Sequence, residues 1–179
     1  MENKRDKIED LVWYELIHAK YWEQYISDYT GSKIDWRKFY NIIAISFAII
    51  GGSTWGAWKA LDVEWITPVM FGLMGIAQIL SAIQKNVIID NETIQSLTKL
   101  RTFYISYFNK LERLFIKIED KQLKKIQIEE EYFSLRETVY PIEELKDTLN
   151  INKLKTIDKQ VEKRVIQYLE NRYGVSMNN

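Results

Sequence analysis

Cysteine is absent and histidine occurs once, as His18. Without thiols the chain has no disulfide, no Cys-ligated zinc or iron–sulfur cluster and no thiol nucleophile. A Ser-His-Asp arrangement would have to use His18, which sits alone among aromatic residues and reads as a structural or surface side chain. An excess of one charge is missing too. The 25 Lys and Arg balance 25 Asp and Glu, so the electrostatic footprint of a general nucleic-acid binder is absent and no direct nucleic-acid partner is expected. Nothing matches G-x-x-x-x-G-K-[ST], a G-x-G-x-x-G after a strand, or H-E-x-x-H. Acid-rich helical sequence offers many carboxylate pairs, and none stands out. The expectation is a protein that is not an enzyme, with no catalytic, cofactor-binding or metal-ligating residue and no cofactor.

The 179 residues suit one ordinary domain, and their charges are segregated. A mean hydropathy of -0.29 averages over two regimes, because Phe39 to Trp58 and Trp65 to Gln84 are each 20 residues without a charge. Twenty helical residues reach about 30 Å, the thickness of a bilayer's hydrocarbon core. A signal peptide is excluded by the long, charged sequence ahead of the first stretch. Trp36, Trp55, Trp58 and Trp65 lie near the ends of the two stretches, where amphipathic rings favour an interface. The connector Lys59 to Glu64 is six residues long, which imposes an antiparallel hairpin. Lys33, Arg37 and Lys38 before it and Lys85, Lys99 and Arg101 after it, against Lys59 alone in the connector, place both termini in the cytoplasm. Pro68 falls near the start of the second stretch, where its missing N–H costs little.

Every fourth residue of the first stretch gives Ala44, Ala48, Gly52, Gly56 and Ala60, a ridge of small side chains along which backbones can approach. The ridge suits either the second stretch of the same hairpin or a neighbouring subunit. In the second stretch Thr67, Phe71, Met74, Gln78, Ser81 and Lys85 share one face. An amide such as Gln78, like Asn41 before it, needs a partner or water when it is surrounded by hydrocarbon. The face therefore lines a pore with Phe71 and Met74 as its constriction, or forms interhelical hydrogen bonds in a closed bundle.

Outside these stretches the pattern is that of amphipathic helices. Ile8 to Tyr29 reads as one helix, with Leu11, Val12, Glu15, Ala19, Trp22 and Ile26 at three- and four-residue steps, and Thr30, Gly31 and Ser32 are expected to break it. Asp90 is a candidate N-cap for a long helix whose face carries Leu97, Leu100, Tyr104, Tyr107, Leu111, Leu114 and Ile118, widened by Phe103, Phe108 and Phe115. A face that wide must be buried against the N- and C-terminal helices. The run Glu119, Asp120 and Lys121 marks a kink, after which Leu123, Ile126, Phe133 and Val139 carry the pattern on until Pro141 ends it. A last helix runs from about Asn152 to Arg172 on Leu154, Ile157, Val161, Val165, Tyr168 and Leu169, closed by Gly174. The fold class expected is an all-α membrane protein: a two-helix transmembrane hairpin with a cytoplasmic helical bundle formed by the N-terminal and long C-terminal helices. Its parts are residues 1–36, a hairpin over 37–86 with spans at about 39–58 and 65–84, and a cytoplasmic region over 87–179.

This order of parts, with its aromatic-rich first helix, the basic lead-in Trp36-Arg37-Lys38, the small-residue-rich first span, the short connector, the second span and the long amphipathic helix, resembles the SLATT family. These are bacterial two-span membrane proteins associated with nucleotide-second-messenger synthases and SLOG sensor domains. The resemblance covers nearly the whole chain and rests on architecture. It implies a homo-oligomeric effector of an anti-phage or other conflict system, which forms a pore in, or disrupts, the bacterial inner membrane when a cytoplasmic protein or nucleotide second messenger signals. The alternative is a constitutive membrane-anchored adaptor whose cytoplasmic helices bind a partner protein.

Overall fold

The computed structural model describes residues 7–59, 69, 72, 75, 76, 78, 79, 82 and 89–174, with side chains along the first range to residue 46. Among the described residues every regular element is helical: α1 Lys7–Lys59, α2 Asn91–Glu119, α3 Lys125–Glu137, α4 Tyr140–Thr148 and α5 Lys155–Tyr173. Contacts divide the chain into two units. One comprises the residues up to Thr30 together with those from Glu92 onward, and the other is Gly31–Asn91.

The first unit is built on α2. Leu97, Leu100, Tyr104, Tyr107, Phe108, Leu111, Leu114, Phe115 and Ile118 are buried along it at three- and four-residue steps, the spacing that keeps side chains on one side of a helix. Against them α1 buries Ile8, Val12, Trp13, Leu16, Ala19, Trp22, Tyr25 and Ile26, and α5 buries Val161, Val165 and Leu169. Rings join the three helices: Trp13 meets Phe115 at 5.0 Å and Tyr173 at 5.6 Å, Trp22 stacks on Tyr104 at 6.2 Å, and Phe108 meets Tyr168 at 6.3 Å. Each fully buried large side chain contributes about 1.5–3 kcal/mol by leaving water, so the aliphatic side chains buried alongside these rings, such as Leu16, Leu100, Leu111 and Leu169, share in the unit's cohesion.

Polar bridges lie around its edge. Glu15, on the α1 face expected to be apolar, accepts from the Tyr107 hydroxyl at 3.2 Å and pairs with Arg136 of α3 at 3.1 Å. Lys117 of α2 holds Glu131 of α3 at 2.9 Å. On α5, Arg164 pairs with Asp28, and the Tyr173 hydroxyl donates to Glu112 at 2.8 Å.

Several sequence expectations are corrected. Among the described residues no helix is long and apolar enough to cross a membrane, and the expected membrane hairpin is not supported. The first expected span does not begin as a new helix, because Thr30, Gly31 and Ser32 lie inside α1. Thr30 is accommodated by donating its hydroxyl to the Ile26 carbonyl at 2.7 Å, a bond open to Thr within a helix, and Gly31 has open space where a Cβ would stand. Most of residues 65–84 lie outside the described residues.

The helix expected to run on through 119–121 ends at Glu119. Lys121 turns the chain at a left-handed φ of 54°, and Gln127 then receives the Lys124 backbone N–H at 2.9 Å as α3 begins. This turn shifts the register. Ile126 and Phe133 are exposed and Ile128 and Tyr132 are buried instead, while Val139, after α3, is buried as its place in the pattern implied. Pro141 does not end a helix but sits in the first turn of α4, where its fixed φ fits and no N–H is required. Leu11 and Leu154 likewise point outward. Gly174 follows α5 at φ 67°, its N–H bonded to the Glu170 carbonyl at 2.9 Å.

Candidate functional site

Trp22 is 4% exposed and must place its indole N–H where water does not reach. It donates to His18 Nε2 at 2.9 Å, one helical turn earlier. That nitrogen is therefore an acceptor and the imidazole is neutral. Burial holds the His18 pKa below its ordinary value; Glu15 opposes this, Lys146 and Lys153 reinforce it, and Glu143 opposes it. Lys146 lies 4.1 Å from the Trp22 ring centroid and Lys153 5.3 Å from it, with Lys153 also 4.8 Å from the Tyr21 ring. The Tyr21 hydroxyl donates to Asp158, which Lys153 approaches at 3.9 Å. Burial, followed by this acceptor and its charge, pushes the Tyr21 pKa up.

The chain between α4 and α5 supplies Lys153, and Tyr25 positions it. The Tyr25 hydroxyl accepts the Leu154 N–H at 2.8 Å and donates to the Asn152 carbonyl at 3.2 Å. The result is an open groove of about 540 Å³, walled by Tyr14, Ile17, His18 and Tyr21 of α1, Lys153, and Glu162 of α5. It combines aromatic walls with the Lys153 ammonium group and the Asp158 and Glu162 carboxylates, a lining suited to recognition. His18 Nε2 is already occupied by the Trp22 N–H. Among the described residues no group of three His, Asp or Glu is placed to hold a metal ion.

A second feature lies in the Gly31–Asn91 unit. Trp36, Phe39, Ile42 and Ile45 of α1 are 53%, 54%, 63% and 60% exposed. Successive members are three residues apart and step back by about 60° around the axis, so the four cover about half of the circumference. Val69, Ile76 and Ile79 in the same unit are also exposed. Isolated exposed apolar residues are ordinary, but a continuous face of this kind marks a surface that meets something apolar.

Of the residues expected on a pore-lining face, Gln78 is helical and exposed, while Thr67, Phe71, Met74, Ser81 and Lys85 lie outside the described residues. On the small-residue ridge, Ala44 is exposed and the backbones of Ala48, Gly52 and Gly56 are helical, with their side chains, and Ala60 entirely, outside the described residues. Leu100, Tyr104, Tyr107, Leu111, Leu114 and Ile118, expected to pack the cytoplasmic helices, are all buried. Sequence reasoning missed the groove around Trp22. The four-residue step from His18 to Trp22 was its one visible signal, whereas Lys153 reaches it only through the segment between α4 and α5.

No protein-family model, curated protein or solved structure matches the chain.

Proposed function

We propose that this chain acts at a lipid surface as an oligomeric effector, with the groove beside Trp22 as the place where a protein or small-molecule signal acts on it. One observation carries the reading: large apolar side chains cover about half the circumference of α1 between Trp36 and Ile45 and are exposed. A water-facing helix buries its apolar side against its own protein. Here that side faces outward, and it leads directly into the uncharged run that starts at Phe39. Lipid supplies an apolar surface of unlimited extent, and copies gathered on it can share the small-residue ridge. The conflict-system role implied by the family resemblance fits an effector of this kind.

The test is flotation of the full chain with dye-loaded phosphatidylcholine vesicles. The expected result is co-flotation, lost in an I42S/I45S double variant by about tenfold or more per isoleucine, with dye release once a trigger is present. Protein that stays at the bottom of the gradient with every vesicle overturns the reading. Flotation that never leads to leakage favours the adaptor.

A further inference from the structure

We propose that Lys33, Trp36, Arg37 and Lys38 form a collar on α1 that binds the anionic headgroups of a lipid surface. The inference rests on the lipid reading above and specifies which lipids the surface prefers. Within the six residues Lys33–Lys38 there are three cations and one acid, and the next 20 residues carry no charge. The cations therefore stand at the polar end of an apolar surface. That is the level at which phosphate groups lie in a bilayer and at which Lys and Arg extend their charged heads while their stems stay in apolar surroundings.

Geometry supports Trp36, Arg37 and Lys38. Trp36 contacts Phe39 and Tyr40, both at 5.9 Å between centroids, yet remains half exposed. An indole held this way offers a rigid apolar body with an N–H at its edge, the combination enriched at bilayer interfaces. Arg37 Nη1 donates to Asn91 Oδ1 at 2.7 Å, which fixes the guanidinium and leaves its other N–H groups to bind phosphate oxygens. The acid in the collar, Asp35, meets Lys38 at 3.7 Å with both side chains more than two-thirds exposed. A pair that open is worth little and gives way to a phosphate.

The experiment uses the full chain and two vesicle compositions, phosphatidylcholine alone and phosphatidylcholine mixed with phosphatidylglycerol. Binding to the mixed vesicles should be tighter by about fivefold for each basic side chain, on the order of a hundredfold for three. The preference should disappear at about 1 M salt and in K33Q/R37Q/K38Q, while W36A weakens binding to both compositions alike. Equal binding of the wild type to both compositions, or a preference that survives high salt, overturns the collar and leaves the lipid reading standing. Binding to neither overturns both. The salt titration uses unaltered protein, so the result does not depend on the triple variant folding.

Discussion

A buried indole with a single N–H determines much of the chemistry around Trp22. Its donation to His18 Nε2 requires the unprotonated nitrogen; burial disfavours a charged imidazole, and the ammonium groups of Lys146 and Lys153 nearby make a further positive charge costlier. The folded pKa of His18 is depressed, so between that value and about 6.5 the unfolded chain binds more protons and stability rises with pH. This contribution is complete above about pH 6.5 and is lost as the pH falls through the folded value. His18 is the single histidine, which makes the test direct: its imidazole resonances should titrate below pH 6.5, and H18Q should remove the corresponding slope from the stability curve. Titration at or above 6.5 would sink the account. Tyrosines act at the other end of the pH scale. Burial raises the pKa values of Tyr104, Tyr107 and Tyr173, with Glu143 and Glu15, Glu15, and Glu112 respectively adding to it. Raised values mean that stability is fully present below about pH 10 and declines above it, so alkaline unfolding should begin there. Tyr25 bears a separate load, because its hydroxyl serves both Leu154 and Asn152. Tyr25→Phe leaves both backbone groups without that partner and should cost about 1–3 kcal/mol in a urea titration. That His18 faces aromatic neighbours was legible in the sequence; its acceptor role was not, because it depends on how deeply Trp22 is buried.

Elements show where periodicity informs and where it misleads. On α2 the three- and four-residue rhythm from Leu97 to Ile118 identified the buried side correctly, since one unbroken helix preserves its own phase. Beyond Glu119 the same rhythm was carried through a turn. Lys121 adopts a left-handed φ of 54° without being Gly, so no residue type announced the break, and α3 restarts in a different phase. Adjacent aromatic residues provide the test. Tyr132 is 4% exposed and Phe133 60%, so Tyr132→Ala should cost about 3–5 kcal/mol, as for a buried aromatic, and Phe133→Ala should stay within about 0.5 kcal/mol. Comparable losses would mean that α3 packs through the face its sequence suggested. The end of α5 is the opposite case, where Gly174 signalled the stop and occupies the φ of 67° that favours it.

At the scale of the whole molecule, the two units divide labour according to what surrounds their apolar side chains. In the first unit those side chains surround one another, drawn together from residues up to Thr30 and from Glu92 onward. Much of this was legible because amphipathic helices with complementary faces must find each other. The fate of the uncharged stretches was not, because two 20-residue runs satisfy a length criterion for spanning irrespective of how the chain enters them. The helix that carries the first run continues from a charged, packed segment. A pair of variants separates cohesion from engagement. Leu111 is fully buried, and Leu111→Ala should lower stability by about 2–5 kcal/mol, measured by near-UV circular dichroism in urea, with vesicle binding intact under conditions where the protein is still folded. I42S/I45S should do the reverse, leaving the aromatic signal's midpoint within about 0.5 kcal/mol of wild type while vesicle binding collapses. If the double serine variant instead unfolds as readily as the Leu111 variant, Ile42 and Ile45 belong to the protein's own packing, and the outward apolar face loses its claim to a lipid partner.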